Sequence, residues 1–354
     1  MTPAGPRYTV AVVGVSTLLG KEVLEVLKER KFPVANLVSR SEQEAEPDLP
    51  VLDLDATHLA DAVEPGEDSE PDFVFLAGRL ATPQDGAKTE FLLSAERLAE
   101  ARHAKVIDLG GFIAAHAGGV LSIPSLEEVG AGINEGDAPP PKYYAAPHPA
   151  VVVIARLLLA LGRRFPVTSA VCEVIGSASE IGPRAIAELQ KQTVNLLSFQ
   201  KIPQAVFGGQ MAFNLLPRLK RGRIQTGEPA PAEERIRAEL RDYLGARVPP
   251  PAVRFLQAPV FHSLAISLYV RLRDPAPLAA LGETLGTAGF GVRRPSEAPP
   301  SPVEVTGSSD ILVDTLAADP ADPTGCWIWA VADNLRLAAT NAVEIAESLK
   351  SVRL

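Results

Sequence analysis

The first residues able to do chemistry lie in the turn Gly14-Val-Ser-Thr-Leu-Leu-Gly20, which follows a short apolar run. A glycine-bearing loop feeding a helix N-terminus makes an anion site, because free backbone N–H groups and the helix dipole face the ligand together. Of a full G-x-G-x-x-G only Gly14 and Gly20 remain, and Ser16 and Thr17 replace smaller choices, so the turn also reads as a plain β–α connection. At the end of the next strand, where an NAD site places Asp or Glu, the sequence offers Ser39-Arg40-Ser41. A guanidinium flanked by hydroxyls suits a 2′-phosphate and argues for NADP over NAD. Asp53 and Asp55 lie farther along and read as turn or surface residues.

Thiols and imidazoles are scarce. The two cysteines, Cys172 and Cys326, form no CxxC and no Cys/His cluster, which argues against a disulfide framework or a structural zinc. Cys172 lies in a run of apolar and small residues, where a buried, inert thiol is expected. His262 falls in Pro259–Leu272, which reads as one unusually long strand. On strand alternation it shares a face with Val260, Leu264 and Ile266, the setting of a satisfied core histidine.

These groups need elements to position them. Tyr8–Gly14 reads as a strand, and Leu19, Val23, Leu24 and Leu27 lie on one face of a following helix. Val34–Ser39 is a second strand, completing a βαβ unit of the kind that implies a parallel sheet. Phe73–Ala77 and Lys105–Asp108 continue the pattern as strands closed by glycines, with a helix expected over Glu90–Arg102. Ala138-Pro-Pro-Pro141 is a stiff boundary. Beyond it, Ala150–Leu161 is a helix apolar on most sides and therefore buried. Strands at Ser169–Ile175 and Pro259–Leu272 alternate with helices near Arg184–Leu197 and Ala232–Leu244. Arg221–Pro231 and Glu297–Pro302 are polar loops, and a last helix near Asn334–Lys350 carries a broad apolar stripe. The expected fold is α/β: a Rossmann-type doubly wound parallel sheet plus an α+β domain with a largely antiparallel sheet, of the kind that pairs with its twin in a dimer.

Size and charge exclude several classes. A chain of 354 residues is long enough for two domains. A net charge of −9 argues against general affinity for nucleic acid or anionic lipid. The longest apolar stretch is too short to span a bilayer and carries Arg156. The N-terminal MTPAGPRY lacks the marks of a targeting segment, so a cytoplasmic location is expected.

Several segments together resemble the aspartate-semialdehyde dehydrogenase family. Gly14–Gly20 is similar to its GATGAVG turn, Ser39-Arg40-Ser41 to its S-R-S phosphate loop, and Phe75-Leu-Ala-Gly78 to its F-x-A-G segment beside the nicotinamide. Met211-Ala-Phe-Asn-Leu-Leu-Pro217 resembles I-A-F-N-V-I-P, and Glu233–Gly245 resembles the E-E-x-K-M-x-x-E-T-x-K-I-L-G helix. Asp333-Asn-Leu-Arg336 and Asn341-Ala-Val343 resemble D-N-L-R-K-G-A-A-x-N-A-V-Q. The resemblance implies a homodimer with divisions at 1–141, 142–330 and 331–354, the last a helix packing back on the first domain. It also implies an NADP site formed by Gly14, Ser16, Thr17, Leu18, Leu19, Ser39, Arg40, Ser41, Ala77, Gly78 and Asn334.

The family reaction is the NADPH-dependent reductive dephosphorylation of aspartyl phosphate through a cysteine thioester. Its chemical residues are replaced here. The nucleophile loop N-P-N-C-S-T aligns with Ala146-Pro-His-Pro-Ala-Val151, which puts Pro149 in the cysteine's place. A helix start favours either residue, by lowering a thiol's pKa or by tolerating a missing N–H, but proline cannot form a thioester. His148 beside it reads as a helix-start residue. Gly176 stands where the acyl-positioning glutamine of Q-A-x-S-G-A-G belongs, Gln257 at the substrate arginine, and Ile113 at a phosphate-binding arginine. His262 remains at the general acid/base position, followed by Ser263 as in the family's H-S pair. Glu239 also remains, equally at home as a helix-surface charge.

Acid–base help is worth on the order of 10²–10⁴-fold, whereas losing a covalent nucleophile costs about 10⁶. The sequence therefore reads as a catalytically inactive relative, similar to the Usg-type branch, with a regulatory or interaction role and a retained NADP site. The alternative is an NADP-dependent oxidoreductase reducing a different carbonyl by direct hydride transfer, with His262 as proton donor.

Overall fold

The structure, a computed structural model, describes residues 6–40, 70–78, 104–111, 119–127, 141–217 and 231–350. The chain divides into two units: Met1–Ala146, Gln225–Pro229 and Ala338–Leu354 form one, and Pro147–Ile224 with Ala230–Leu337 form the other. The expected helix over Glu90–Arg102, most of the Arg221–Pro231 loop, Ile113 and Ser41 lie outside the described residues, as does the side chain of Arg40.

The first unit is built on strands β1 (Tyr8–Val13), β2 (Val34–Arg40), β3 (Phe73–Leu76), β4 (Lys105–Asp108), β5 (Val120–Leu121) and β6 (Tyr143–Ala145). They lie in the order β2-β1-β3-β4-β6-β5, every pairing parallel. Near-continuous apolar strands such as YTVAVV and FVFL suit a sheet covered on both faces. On one face Tyr8, Phe32 and Phe73 meet at centroid separations of 5.3–6.0 Å. Helix α1 (Leu18–Glu29) adds Val23, Val26 and Leu27 to that cluster. Ala339, Ala342, Val343, Ile345, Ala346 and Leu349 of the C-terminal helix complete it, which is where the apolar stripe goes. Val13, Leu76, Asp108 and Ala145 stand in register, so the chain leaves four neighbouring strands at one rim.

The second unit holds β7 (Val167–Gly176), β8 (Ala252–Gln257), β9 (Leu264–Leu272), β10 (Gly291–Val292), β11 (Leu312–Val313), β12 (Ala317–Asp319) and β13 (Asp322–Ala332). The order is β10-β11-β13-β9-β7-β8, with β12 on β13; only β7–β8 and β10–β11 pair in parallel. Its helices include α2 (Pro149–Gly162), α3 (Pro183–Leu197) and α4 (Ala232–Leu244). Helix α2 buries Ala150–Ala155, Leu157, Leu158, Ala160 and Leu161, as its all-round apolar character requires. β7 alternates along its length, and its outward row includes Val171, 51% exposed, which pairs through β9 towards Trp327, 45% exposed. Among the described residues this face is exposed around Val171 and Trp327, while its other end buries Ala265 and Val331 against Val305.

One expected element is corrected. Pro259–Leu272 is not a single strand, because β9 begins only at Leu264. Ser263 adopts φ +72°, a left-handed conformation that no strand accommodates, and the five residues before β9 form an irregular loop. The alternation argument that placed His262 on an apolar core face therefore fails.

Candidate functional site

In the first unit the turn after β1 sits at a topological switch point. The chain runs from β1 through α1 to β2 on one side, while β3 pairs on the other, and such crevices are where parallel sheets take ligands. Gly14 has φ +87°, and a Cβ there would lie 2.5 Å from Gly78 N; a Cβ at Gly20 would lie 2.0 Å from Gly14 O. Both glycines are thus required by backbone contacts of the turn itself. Thr17 caps α1: its Oγ1 accepts from Gly20 N–H at 2.9 Å and lies 2.8 Å from Gly14 O and 3.0 Å from Ala77 O.

The N–H groups of Val15, Ser16, Leu18 and Leu19 have no acceptor among the described residues. This donor set fits a phosphate group, so Val15, Ser16, Leu18 and Leu19 can hold the pyrophosphate of a dinucleotide through backbone alone, on the turn that Gly14 shapes. Arg40 pairs in the ladder opposite Val13, at the same rim.

In the second unit the positions matched to the family's chemical residues surround the start of α2. Pro149 is the first helical residue and His148 the N-cap. His148 Nδ1 accepts from Ala150 N–H at 3.1 Å, so the ring proton is on Nε2, which donates to Glu180 Oε1 at 3.0 Å. His148 N–H donates to Glu239 Oε2 at 2.7 Å, and Arg235 Nε donates to Glu239 Oε1 at 2.6 Å. Glu239 is therefore no helix-surface charge; its side chain is 14% exposed and it pins the helix start from α4. Val151 N–H is bound to His148 O at 2.7 Å. With proline first in the helix, no N–H of its opening positions is left to polarise an acyl carbonyl or stabilise a thiolate.

The strand positions are also filled. A Cβ at Gly176 would lie 2.2 Å from Phe255 Cζ, so the Phe255 ring occupies the place of a glutamine side chain. Gln257, opposite Gly176 in the ladder, is 2% exposed and donates to Gly176 O at 3.2 Å. Ala178 N–H and Ser179 N–H donate to Val260 O and Phe261 O, which holds the His262 loop against the 176–180 segment. His262 itself is of intermediate exposure and has no hydrogen-bond partner among the described residues. The structure thus brings the segments carrying Pro149, Gly176, Gln257 and His262 together, and it adds Glu180.

Sequence reasoning passed over Glu180. Its signal was a lone carboxylate in a run of small residues, where the family pattern has glycine. Its Oε2 is buried with no partner among the described residues. Asn334, matched to the cofactor site, belongs to the second unit, where its Oδ1 accepts from Ser179 Oγ and Ser263 N–H, both at 3.0 Å.

Neither thiol is poised for chemistry. Burial, assisted by Glu173, pushes the Cys172 thiol far above its ordinary range, and burial pushes Cys326 up to about 11. Among the described residues no group of three or more His, Cys, Asp or Glu could hold a metal ion, and no helix is long and apolar enough to cross a membrane.

Comparison with known proteins identifies the family. Residues 158–337, just over half of the chain, match the family model for the semialdehyde dehydrogenase dimerisation domain. A USG-1 protein homolog of Pseudomonas aeruginosa is 29% identical over 357 residues, covering 96% of this chain and 97% of its own length. The aspartate-semialdehyde dehydrogenase of Prochlorococcus marinus is 25% identical over 349 residues, covering 96% and 95%. Among solved structures, a probable aspartate-semialdehyde dehydrogenase from Pseudomonas aeruginosa superposes with a TM-score of 0.76 at 27% identity, covering 99% of this chain and 100% of that one. The chain belongs to the aspartate-semialdehyde dehydrogenase family.

Proposed function

We propose that this chain is a non-catalytic member of its family, a homodimer that keeps an NADP site and serves a regulatory or interaction role. The observation that carries this reading is the start of α2. Pro149, at the position matched to the thioester-forming cysteine, is the first residue of α2, and the neighbouring helix donors are already bonded to His148. The covalent route needs a thiolate and a stabilised oxyanion, and this helix start supplies neither. Phe255 against Gly176 and the buried Gln257 remove the groups that would orient the acyl chain and grip its carboxylate. Glu180 adds a negative charge next to the same helix start, unfavourable for an acyl phosphate.

NADP is supported by the turn's free N–H groups and by Arg40 at the neighbouring strand end. Bound, it would supply a hydride; the chain's own part is to hold its phosphates. The homodimer is supported by the family model's description and by the sheet face exposed around Val171 and Trp327. A location in the cytoplasm, with no nucleic-acid or membrane partner, completes the reading.

One observation favours a second reading. His262 is partly exposed in a loop whose Phe261 O accepts from Ser179 N–H and whose Ser263 N–H donates to Asn334 Oδ1, so an imidazole is held there that could serve direct hydride transfer to another carbonyl. Titration of the cofactor-free protein with NADPH, by calorimetry, tests the cofactor half of the proposal. Saturable binding in the micromolar range, weakened by Arg40→Ala, is expected; no binding at millimolar NADPH refutes it. NADPH oxidation with a panel of small carbonyls, lost in His262→Ala, would favour the second reading.

A further inference from the structure

We infer that Thr17 sets the dinucleotide affinity of this chain, holding it weak in exchange for a locked turn. The inference rests on the reading that the turn after β1 takes NADP. In the GATGAVG turn that Gly14–Gly20 resembles, the second glycine falls at position 17, where bare backbone lets a pyrophosphate approach closely. Thr17 occupies that place here, between the free N–H groups of Ser16 and Leu18. Its backbone, at φ −72° and ψ 161°, is one any residue adopts, so the conformation does not call for glycine; only an approaching ligand would.

The side chain has a clear structural task instead. Its hydroxyl accepts from Gly20 N–H, which caps the helix, and has one proton to share between Gly14 O and Ala77 O. Ala77 follows β3, so this one side chain ties the two sides of the switch-point crevice together. With the oxygen committed inward, it is not free to bond a phosphate. The Cβ and methyl group add bulk to the turn that a glycine at this position would not have.

Three substitutions separate bulk from cap. Thr17→Ser keeps the hydroxyl and removes the methyl; Thr17→Gly removes both; Thr17→Val keeps the bulk and removes the hydroxyl. NADPH dissociation constants and melting temperatures are measured for each. Glycine is expected to tighten NADPH about tenfold or more, the scale on which one misplaced methyl group is felt in a close-fitting site, and to lower the melting temperature. Serine is expected to tighten NADPH with little change in melting, and valine to lower melting with no gain in affinity. If the unaltered protein binds NADPH and neither glycine nor serine binds it more tightly, the inference about Thr17 falls while the cofactor reading stands. If no variant binds at all, both fall.

Discussion

Replacing His148 by alanine removes two side-chain bonds at the start of α2, and their loss can be sized from the structure. Ala150 N–H loses Nδ1, its only cap, which is a loss of about 0.5–2 kcal/mol for an N-cap residue. Glu180 loses the only hydrogen bond its carboxylate accepts among the described residues, which leaves both oxygens without a described partner in a largely buried place. An unsatisfied buried acceptor costs about 1–3 kcal/mol. Glu180 keeps 16% exposure, so water recovers part of that loss, and a total of about 2–4 kcal/mol is expected. His148→Asn separates the terms: asparagine caps helices well, so it should recover roughly half. Both tryptophans, Trp327 and Trp329, lie on β13 in the same unit as His148. Urea unfolding followed by tryptophan fluorescence therefore reports on the right part of the chain, and the slope should stay constant while the midpoint falls. A loss below about 0.5 kcal/mol, or equal losses for alanine and asparagine, would refute the assignment of His148 as a structural junction.

Three further outcomes follow from other contacts. Gly176→Gln should destabilise by about 1–3 kcal/mol, because its Cβ overlaps the Phe255 ring; adding Phe255→Leu should recover part of this in the same urea assay. Gln192, fully buried, accepts from Met211 N–H and Ala212 N–H and donates to Pro203 O and Gly209 O, so Gln192→Ala should cost about 3 kcal/mol or more and admit protease cleavage within residues 199–216. Cys172 and Cys326 should resist iodoacetamide at pH 8 until the protein unfolds, as mass spectrometry of the labelled chain would show. Both folded thiols titrate above their unfolded values. The stability they contribute is present below the unfolded value near 9 and is lost as pH rises from there towards about 11 for Cys326.

Most of the architecture was legible because its signals are local and periodic. The strands at Tyr8 and Lys105 and the helix over Ala150–Leu161 follow from apolar runs of the right length between glycines and prolines. The boundary at Leu264 was not legible. Pro259–Leu272 carries enough apolar residues to look like one strand, and the left-handed Ser263 that stops it donates its N–H to Asn334 Oδ1, 71 residues away. The same limit applies to the site. Pro149, Gly176 and Gln257 could be named from the resemblance, yet Glu239 looked like a surface charge because its partner, the His148 N–H, is 91 residues distant. Glu180 matters through its bond from His148 and Phe255 through the space it fills, and periodicity carries no information about either. Thr17 is the opposite case: a residue visible as a departure from a glycine pattern, whose structural task appears only with Ala77 beside it.

In the proposed function the scaffold remains while the thioester chemistry is gone. The direct measurement is phosphate-dependent reduction of NADP⁺ by the purified protein with aspartate semialdehyde, followed at the NADPH absorbance and run alongside an active family member. No rate above the protein-free control is expected. Steady turnover that requires phosphate and disappears in His262→Ala would contradict it.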